Sequence, residues 1–386
     1  MNGKKVLWVN PSFLDYRIPL YKNINEKLKG NFRLIFSRRR VPERCIKKIE
    51  EAIGVNALIV EYDKRIVKGG DTSIANGVIN ISIPKGLYKL IKSAAPDLII
   101  AEGFFQFTPW AVWYSFIHRI PLLIAYERTA HTERNCPLWR KLYRRFIGLF
   151  VDGYIANGQL TKEYLISQGV KPGNVFTGGM CADSKGLSEQ VSALSSDEKL
   201  QLKKVLVGNQ HEGLVYIFVG RMIELKGVNH LLKAWNDHIV VHPNDKLLLV
   251  GDGPLLEGYK ASYSHQSIIF TGGIDYSEVY KYYAVSDVFI IPTLEDNWSL
   301  VVPEAMACGL PIACSIYNGC YPELVKKDEN GITFNPLNKD SVIETLAYFH
   351  TKDLKAMGER SIEIEKEYSP ECTADNVLSA VKKYLR

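Results

Sequence analysis

The sequence predicts an α/β protein made of two doubly wound parallel-sheet domains in tandem. Three observations predict it. Apolar runs of strand length alternate with helix-patterned segments, and they do so in two separate series. A stretch rich in Ser, Gly and charge, over 180–212, divides the series. The length, 386 residues, exceeds what one hydrophobic core ordinarily organises.

The first series is "KKVLWVN", "FRLIFS", "DLIIAEG", "PLLIAYE" and "DGYIANG". These runs are apolar throughout rather than alternating, as strands covered on both faces are. Helical patterns lie between them, including "YRIPLYKNINEKLKG", "GLYKLIKSAA" and "TKEYLISQG". The nearly apolar "WAVWYSFIHRIPLLIAY" is broken by His118, Arg119 and Pro121, so it predicts a buried helix and then a buried strand, not a membrane span. The polar segments "MCADSKGLSEQVSALSSDEK" and "GNQHEG" place a boundary near 190, with a short helix over 197–207. The second series is "VYIFVGR", "KLLLVGDG", "IIFTGG", "DVFIIPT", "PIACSI" and "GITFNP", with helices such as "GVNHLLKAWNDHI" and "KDSVIETLAYFH" between them. The expected domains are 1–190 and 191–368. The tail "SPECTADNVLSAVKKYLR" predicts a last helix over 369–386, returning toward the first domain. Ligands of open α/β sheets bind beyond the carboxyl ends of the strands. The site is therefore expected on strand-end loops of both halves, facing one another across a cleft.

Composition narrows the class. The chain is 46% hydrophobic and 23% charged, with no low-complexity tract and no short repeat, which excludes solenoids and propellers. "MNGKKVLWVNPSF" runs straight into a strand pattern, unlike a signal peptide. Seven cysteines, an odd number without a CxxC pair, argue against a zinc site and for a reducing, cytoplasmic setting. The net charge of +6 conceals an asymmetry. Residues 1–190 hold 29 Lys+Arg against 16 Asp+Glu, and the remainder 19 against 26. A basic first half points to an anionic partner. It contains "SRRR" (37–40) and "LWRKLYRRFIGLF" (138–150). The latter sets Arg140, Lys141, Arg144 and Arg145 among Leu138, Trp139, Leu142, Tyr143 and Phe146. It predicts an amphipathic helix on an anionic membrane surface, or else a helix with a solvated basic face.

Three loops carry candidate chemistry. In "FVGRMIELKGVNHLLKAW" a strand ends at Gly220, Arg221 and Lys226 follow, and a helix opens near Gly227. Two cations beside a helix N-terminus suit an anion, but the spacing is not that of a P-loop. In "LLLVGDGPLLEGY" Gly251-x-Gly253 lacks the third glycine of a dinucleotide fingerprint, since Gly258 comes too late; a dehydrogenase is disfavoured. In "DVFIIPTLEDNWSLVVPEAMACGLPIA" a strand leads into a loop and then a helix that Pro303 suits as a first-turn residue. Asp296 and Glu304 stand eight positions apart, one at the strand end and one in the first helical turn. Carboxylates so placed suit sugar and ribose hydroxyls, and the backbone N–H groups between them suit phosphate. Glu304 alone is equally explained by complementing a helix dipole.

Taken in order, "GRMIELKG", "VGDGP", "DNWSLVVPEAMACGLPI", "YPELV" and "NGITFNP" resemble, with the right spacing over about 215–350, the C-terminal domain of the family 4 retaining glycosyltransferases of bacterial polysaccharide and lipopolysaccharide synthesis. The fold implied is GT-B, with two Rossmann-like domains. Residues 1–190 match in architecture and only weakly in motif.

The resemblance implies roles. Gly220, Arg221 and Lys226 would hold the donor diphosphate and neutralise the leaving group. Glu304 would bind the nucleotide ribose. Asp296, where the family has Glu, would contact the transferred sugar, with Glu295 beside it as a substitute. The amides of Asn297, Trp298, Ser299 and Leu300 would face sugar and phosphate. Asn297-Trp298-Ser299 replaces the family's Gly-Phe-Gly, which implies a bulkier, more polar sugar pocket. The first loop, "NPSFLDYRIPLY", lacks the family's glycine pair, and Arg17 or the loop backbone would compensate. Glu102 and Glu127 are acceptor-side candidates, and His131 is a candidate for the family's histidine near the donor sugar.

The implied reaction moves a sugar, with retention, from a nucleotide diphosphate, UDP being the commonest, to a hydroxyl of a glycan or a polyprenyl-diphosphate-linked acceptor at the inner face of the cell membrane. No DxD occurs, so no metal and no cofactor are expected, and no nucleic acid partner. Rival readings are a sugar-nucleotide 2-epimerase and a non-catalytic sugar-nucleotide-binding subunit.

Overall fold

The apolar runs become central strands because both of their faces are covered. In the computed structural model, which describes residues 3–68, 79–208 and 212–385, the first unit comprises Met1–Asp183 and Tyr368–Arg386. Its strands are β1 (Val6–Val9), β2 (Phe32–Ser37), β3 (Ala57–Val60), β4 (Asp63–Lys68), β5 (Ile79–Pro84), β6 (Leu98–Glu102), β7 (Leu122–Tyr126), β8 (Gly153–Ala156) and β9 (Val175–Phe176). Seven of them form a parallel sheet in the order β3-β2-β1-β6-β7-β8-β9; β4 and β5 pair separately and antiparallel. Along β1, Val6 and Trp8 enter one packed layer with Tyr21, Phe32 and Val377, whereas Leu7 and Val9 enter the other with Phe107 and Tyr126. Two buried faces explain why this strand carries no polar alternation.

The C-terminal helix Pro370–Tyr384 packs on the helix Ile18–Lys27, and its Ala374, Val377, Leu378, Ala380 and Val381 share the layer of Trp8.

The second unit is Ser184–Glu367. Its parallel sheet uses β10 (Val215–Val219), β11 (Lys246–Val250), β12 (Ile268–Gly272), β13 (Val288–Ile291), β14 (Ile312–Ser315) and β15 (Gly331–Phe334), in the order β12-β11-β10-β13-β14-β15. The units divide between Asp183 and Ser184, whereas composition places the boundary near 190. Packing accounts for the difference. The helix Lys185–Ala193 lies on Val279–Ala284 and Val301–Ala307, and the Ser184 hydroxyl donates to the Glu365 carboxylate. The helix expected over 197–207 spans Ser196–Leu206, with a capping box between Ser195 and Glu198. Part of the predicted boundary stretch, 209–211, lies outside the described residues.

Candidate functional site

In both sheets the strand order reverses beside the first strand, between β10 and β13 in the second unit and between β1 and β6 in the first. Loops leaving such a pair of strands diverge to opposite faces and leave a crevice.

In the second unit the loop after β10 carries Gly220, exposed Arg221 and the 3-10 turn Glu224–Lys226; the loop after β13 carries Thr293 to Ser299. The two loops are stitched together. Leu294 N–H and the Thr293 hydroxyl both donate to the Leu225 carbonyl, at 2.8 and 2.9 Å. Gly227 sits between them at φ 66°, and a Cβ there would lie 2.0 Å from the Pro292 carbonyl oxygen. Only glycine lets the backbones approach so closely.

This places Lys226 Nζ 2.6 Å from Asp296 Oδ2. The same oxygen accepts from the Ser299 hydroxyl at 2.6 Å, and Oδ1 accepts from Trp298 N–H at 3.1 Å. Asp296 is thus a carboxylate held by three donors, one of them cationic, in a fixed orientation. Arg221, at the neighbouring strand end, makes no ion pair among the described residues.

Glu304 lies in the first turn of the helix Val301–Ala307. Its oxygens accept from the hydroxyls of Tyr276 at 3.3 Å and Tyr283 at 3.5 Å. Burial and the nearby Glu304 carboxylate push the Tyr283 phenol well above its ordinary pKa, so it remains a donor.

The loop amides are less available than their spacing predicts. Trp298 N–H is engaged by Asp296, and Ser299 N–H donates to Asn318 Oδ1 at 3.3 Å. Trp298, Ser299 and Glu295 are buried, so the Trp298 ring and the Glu295 side chain belong to the floor, not to an open pocket wall; Asn297 and Leu300 are half-buried. Asn318, fully buried in the loop after β14, also accepts from Cys320 N–H and holds Ser299 in place. Sequence reasoning missed Asn318, Tyr276 and Tyr283. The only signal for Asn318 was its place beyond the carboxyl end of "PIACSI".

In the first unit a cavity of about 960 Å³ opens at the equivalent strand ends. Its lining includes Arg17, Glu102, Glu127, Arg128, Trp139 and Arg140. Arg17 is buried, 3.3 Å from Glu102 Oε1, and donates to the Gly179 carbonyl; Trp8 Nε1 donates to Glu102 Oε2 at 2.9 Å. Burial alone would lower the Arg17 pKa, but the Glu102 carboxylate outweighs it and holds the guanidinium above its ordinary value. Glu127 is exposed at the end of β7. His131 is half-buried in the following turn, where its carbonyl accepts from Arg134, and it is not among the residues lining the cavity.

The basic helix is turned the other way from the sequence expectation. Within Leu138–Gly148, Arg140 and Arg144 are 6% and 8% exposed, whereas Leu142 and Phe146 are 59% and 57% exposed. Arg144 is bidentate on buried Glu133, and both arginines lie over the ring of Phe105. Arg140 and Arg144 therefore line the cavity and leave only Lys141 and Arg145 as exposed cations of that helix.

Residues 213–351 match the family model described as glycosyl transferases group 1. An uncharacterized glycosyltransferase of Methanocaldococcus jannaschii is 32% identical over 154 residues, which is 39% of this chain and 38% of that protein. The alpha-monoglucosyldiacylglycerol synthase of Acholeplasma laidlawii is 30% identical over 147 residues, 36% of each chain. The matched segments thus span well under half the length of these curated relatives. The crystal structure of HepE from Anabaena, in complex with UDP, superposes with a TM-score of 0.71 at 16% identity over 98% of this chain and 100% of that one. Such a likeness shows the fold, GT-B, with its two parallel-sheet α/β domains.

Proposed function

We propose, from the premise that residues 213–351 belong to the group 1 glycosyl transferases, that this chain transfers a sugar from a nucleoside diphosphate to an acceptor hydroxyl with retention. The observation that carries the reading is the Lys226–Asp296 pair at the strand-order reversal of the second unit, where a cation and an oriented carboxylate stand together. Lys226 and Arg221 neutralise the departing diphosphate, and Glu304, steadied by Tyr276 and Tyr283, takes the ribose hydroxyls. Asp296 takes hydroxyls of the transferred sugar. The bond from the sugar C1 to the diphosphate oxygen breaks as the acceptor oxygen bonds C1. The acceptor proton leaves with the diphosphate. No metal is assigned a step.

UDP is the proposed nucleotide, supported by the solved complex of the HepE neighbour. The first unit's cavity, with Arg17, Glu102 and Arg140, takes the acceptor, a glycan or a polyprenyl-diphosphate-linked glycolipid met at the inner face of the cell membrane. A relative named as the synthase of a glucosylated diacylglycerol supports a lipid-borne acceptor.

A thermal-shift panel of UDP-, GDP-, dTDP- and ADP-sugars, on the wild type and on Arg221→Ala, tests the donor. Ligands that bind the folded state raise the melting temperature by mass action. One nucleotide class is expected to shift the wild type and not the variant. No shift with any class would overturn the donor assignment. An epimerase would consume the donor without any acceptor, and a binding subunit would release no nucleotide.

A further inference from the structure

We infer that the helices Thr108–His118 and Leu138–Gly148 form a docking face that inserts into the surface of an anionic lipid bilayer. This deepens the membrane placement proposed above, but it does not depend on the transfer chemistry.

The first helix leaves Trp110, Trp113 and Phe116 exposed, and the second leaves Leu138, Leu142 and Phe146 exposed. The two sets are continuous. Phe150 makes edge contacts with Phe116 at 5.6 Å and with Phe146 at 5.5 Å. Single exposed apolar residues need no explanation, but a continuous aromatic patch spread over two helices marks an interaction surface.

Charge decides which partner. No Asp or Glu occurs in 103–126 or in 134–151. The exposed ionic groups of the two helices and their ends are Arg119, Lys141 and Arg145, all cationic. A second copy docking on this face would set these cations against their own counterparts, with no carboxylate on either helix to answer them. Lipid phosphates answer them directly, while tryptophan and phenylalanine settle at the headgroup–acyl boundary. The inverted helix explains how such a face is affordable to the fold. Arg140 and Arg144, which a water-exposed helix would turn outward, are instead engaged inside with Phe105 and Glu133. No helix among the described residues is long and apolar enough to cross a membrane, so the contact lies along the surface. Trp139 both lines the cavity and is half exposed on this helix, so a lipid-anchored acceptor reaches the cavity from the docked face.

The test is co-sedimentation of the full chain with phosphatidylcholine vesicles, with and without phosphatidylglycerol. The wild type is expected to sediment with the anionic vesicles and to be released by salt. Leu142→Ser/Phe146→Ser is expected to stay in the supernatant. Lys141→Ala/Arg145→Ala is expected to lower the partition coefficient about 10–30-fold. Unchanged melting temperatures show that these exposed substitutions leave the fold intact. Equal sedimentation of the wild type and the Leu142→Ser/Phe146→Ser variant would overturn the inference. So would a dimer in vesicle-free sedimentation that this variant disperses, because the face would then belong to a second copy. Neither readout uses a sugar donor, so failure here leaves the transfer reading standing.

Discussion

At the residue scale, the candidate site rests on how tightly Asp296 is oriented. Three donors hold it, and only Lys226 carries charge. Lys226→Ala is therefore expected to lower kcat by about 10²–10³, the effect of removing one preorganised stabilising group. Ser299→Ala removes an uncharged donor from the Asp296 carboxylate, a hydrogen bond worth about 1.5–3 kcal/mol, so its expected loss is the smaller one, about 10–10²-fold. Steady-state kinetics on the two variants check the ranking; equal losses would mean that Lys226 acts only by holding the loop. Gly227→Ala belongs at this scale too. It combines a left-handed backbone, costing about 1–2 kcal/mol, with a clash against the Pro292 carbonyl, so a loss of about 2–4 kcal/mol in urea unfolding is expected. Much of this site was legible in the sequence, because Arg221, Lys226, Asp296 and Glu304 sit at fixed offsets from strand ends. Asn318, Tyr276 and Tyr283 were not. Asn318 reaches the site from the loop after β14, Tyr276 from the 3-10 turn Tyr276–Glu278 and Tyr283 from the helix Val279–Ala284, and no sequence period links them to it.

At the element scale, hydrophobic periodicity located the helices and misjudged one orientation. The pattern of Leu138–Gly148 is amphipathic either way round, and periodicity alone does not say which face turns inward. What decides it is buried Glu133, outside the helix, which binds Arg144 and lies 3.3 Å from Arg128. The strands β4 and β5 escaped notice for a related reason: as a separate antiparallel pair they need no continuous apolar run.

The Glu133–Arg144 pair makes a prediction of its own. Burial would raise the Glu133 pKa, but the Arg144 hydrogen bond and charge outweigh it and hold the carboxyl below its ordinary value. A lowered carboxyl pKa stabilises the fold above the ordinary glutamate range, and that contribution is lost as pH falls through the folded value. Glu133→Gln leaves Arg144 buried without its main counter-charge and is expected to cost about 3–5 kcal/mol at neutral pH. The deficit is expected to shrink as the pH is lowered, because the wild type then loses the same ion pair. The double variant Glu133→Leu/Arg144→Met, which removes both charges, is expected to recover most of the loss. Urea unfolding at neutral and acid pH checks both; a deficit that does not change with pH would assign Glu133 a packing role.

At the scale of the whole molecule, two units are built from three stretches of chain. The sequence break after about 180 is legible because the strand rhythm stops there, yet the division at Asp183/Ser184 depends on where the helix Lys185–Ala193 packs. The C-terminal helix follows the second unit in sequence but completes the first. Ala374, Val377, Leu378, Ala380 and Val381 fill the layer beneath β1, and Lys27 pairs with Asp375 at its surface. Each fully buried valine or leucine is worth about 1.5–3 kcal/mol. Loss of the two valines and the leucine alone approaches the 5–15 kcal/mol that holds a typical domain together. Deleting 368–386 from the full chain is therefore expected to unfold the first unit while the second stays folded. Hydrogen exchange read by peptide locates the effect: amides of β1, β2 and β6 should lose protection, and those of β10, β11 and β13 should keep it. Loss confined to the second unit, or spread equally over both, would mean that the helix stabilises something other than the core it is packed in.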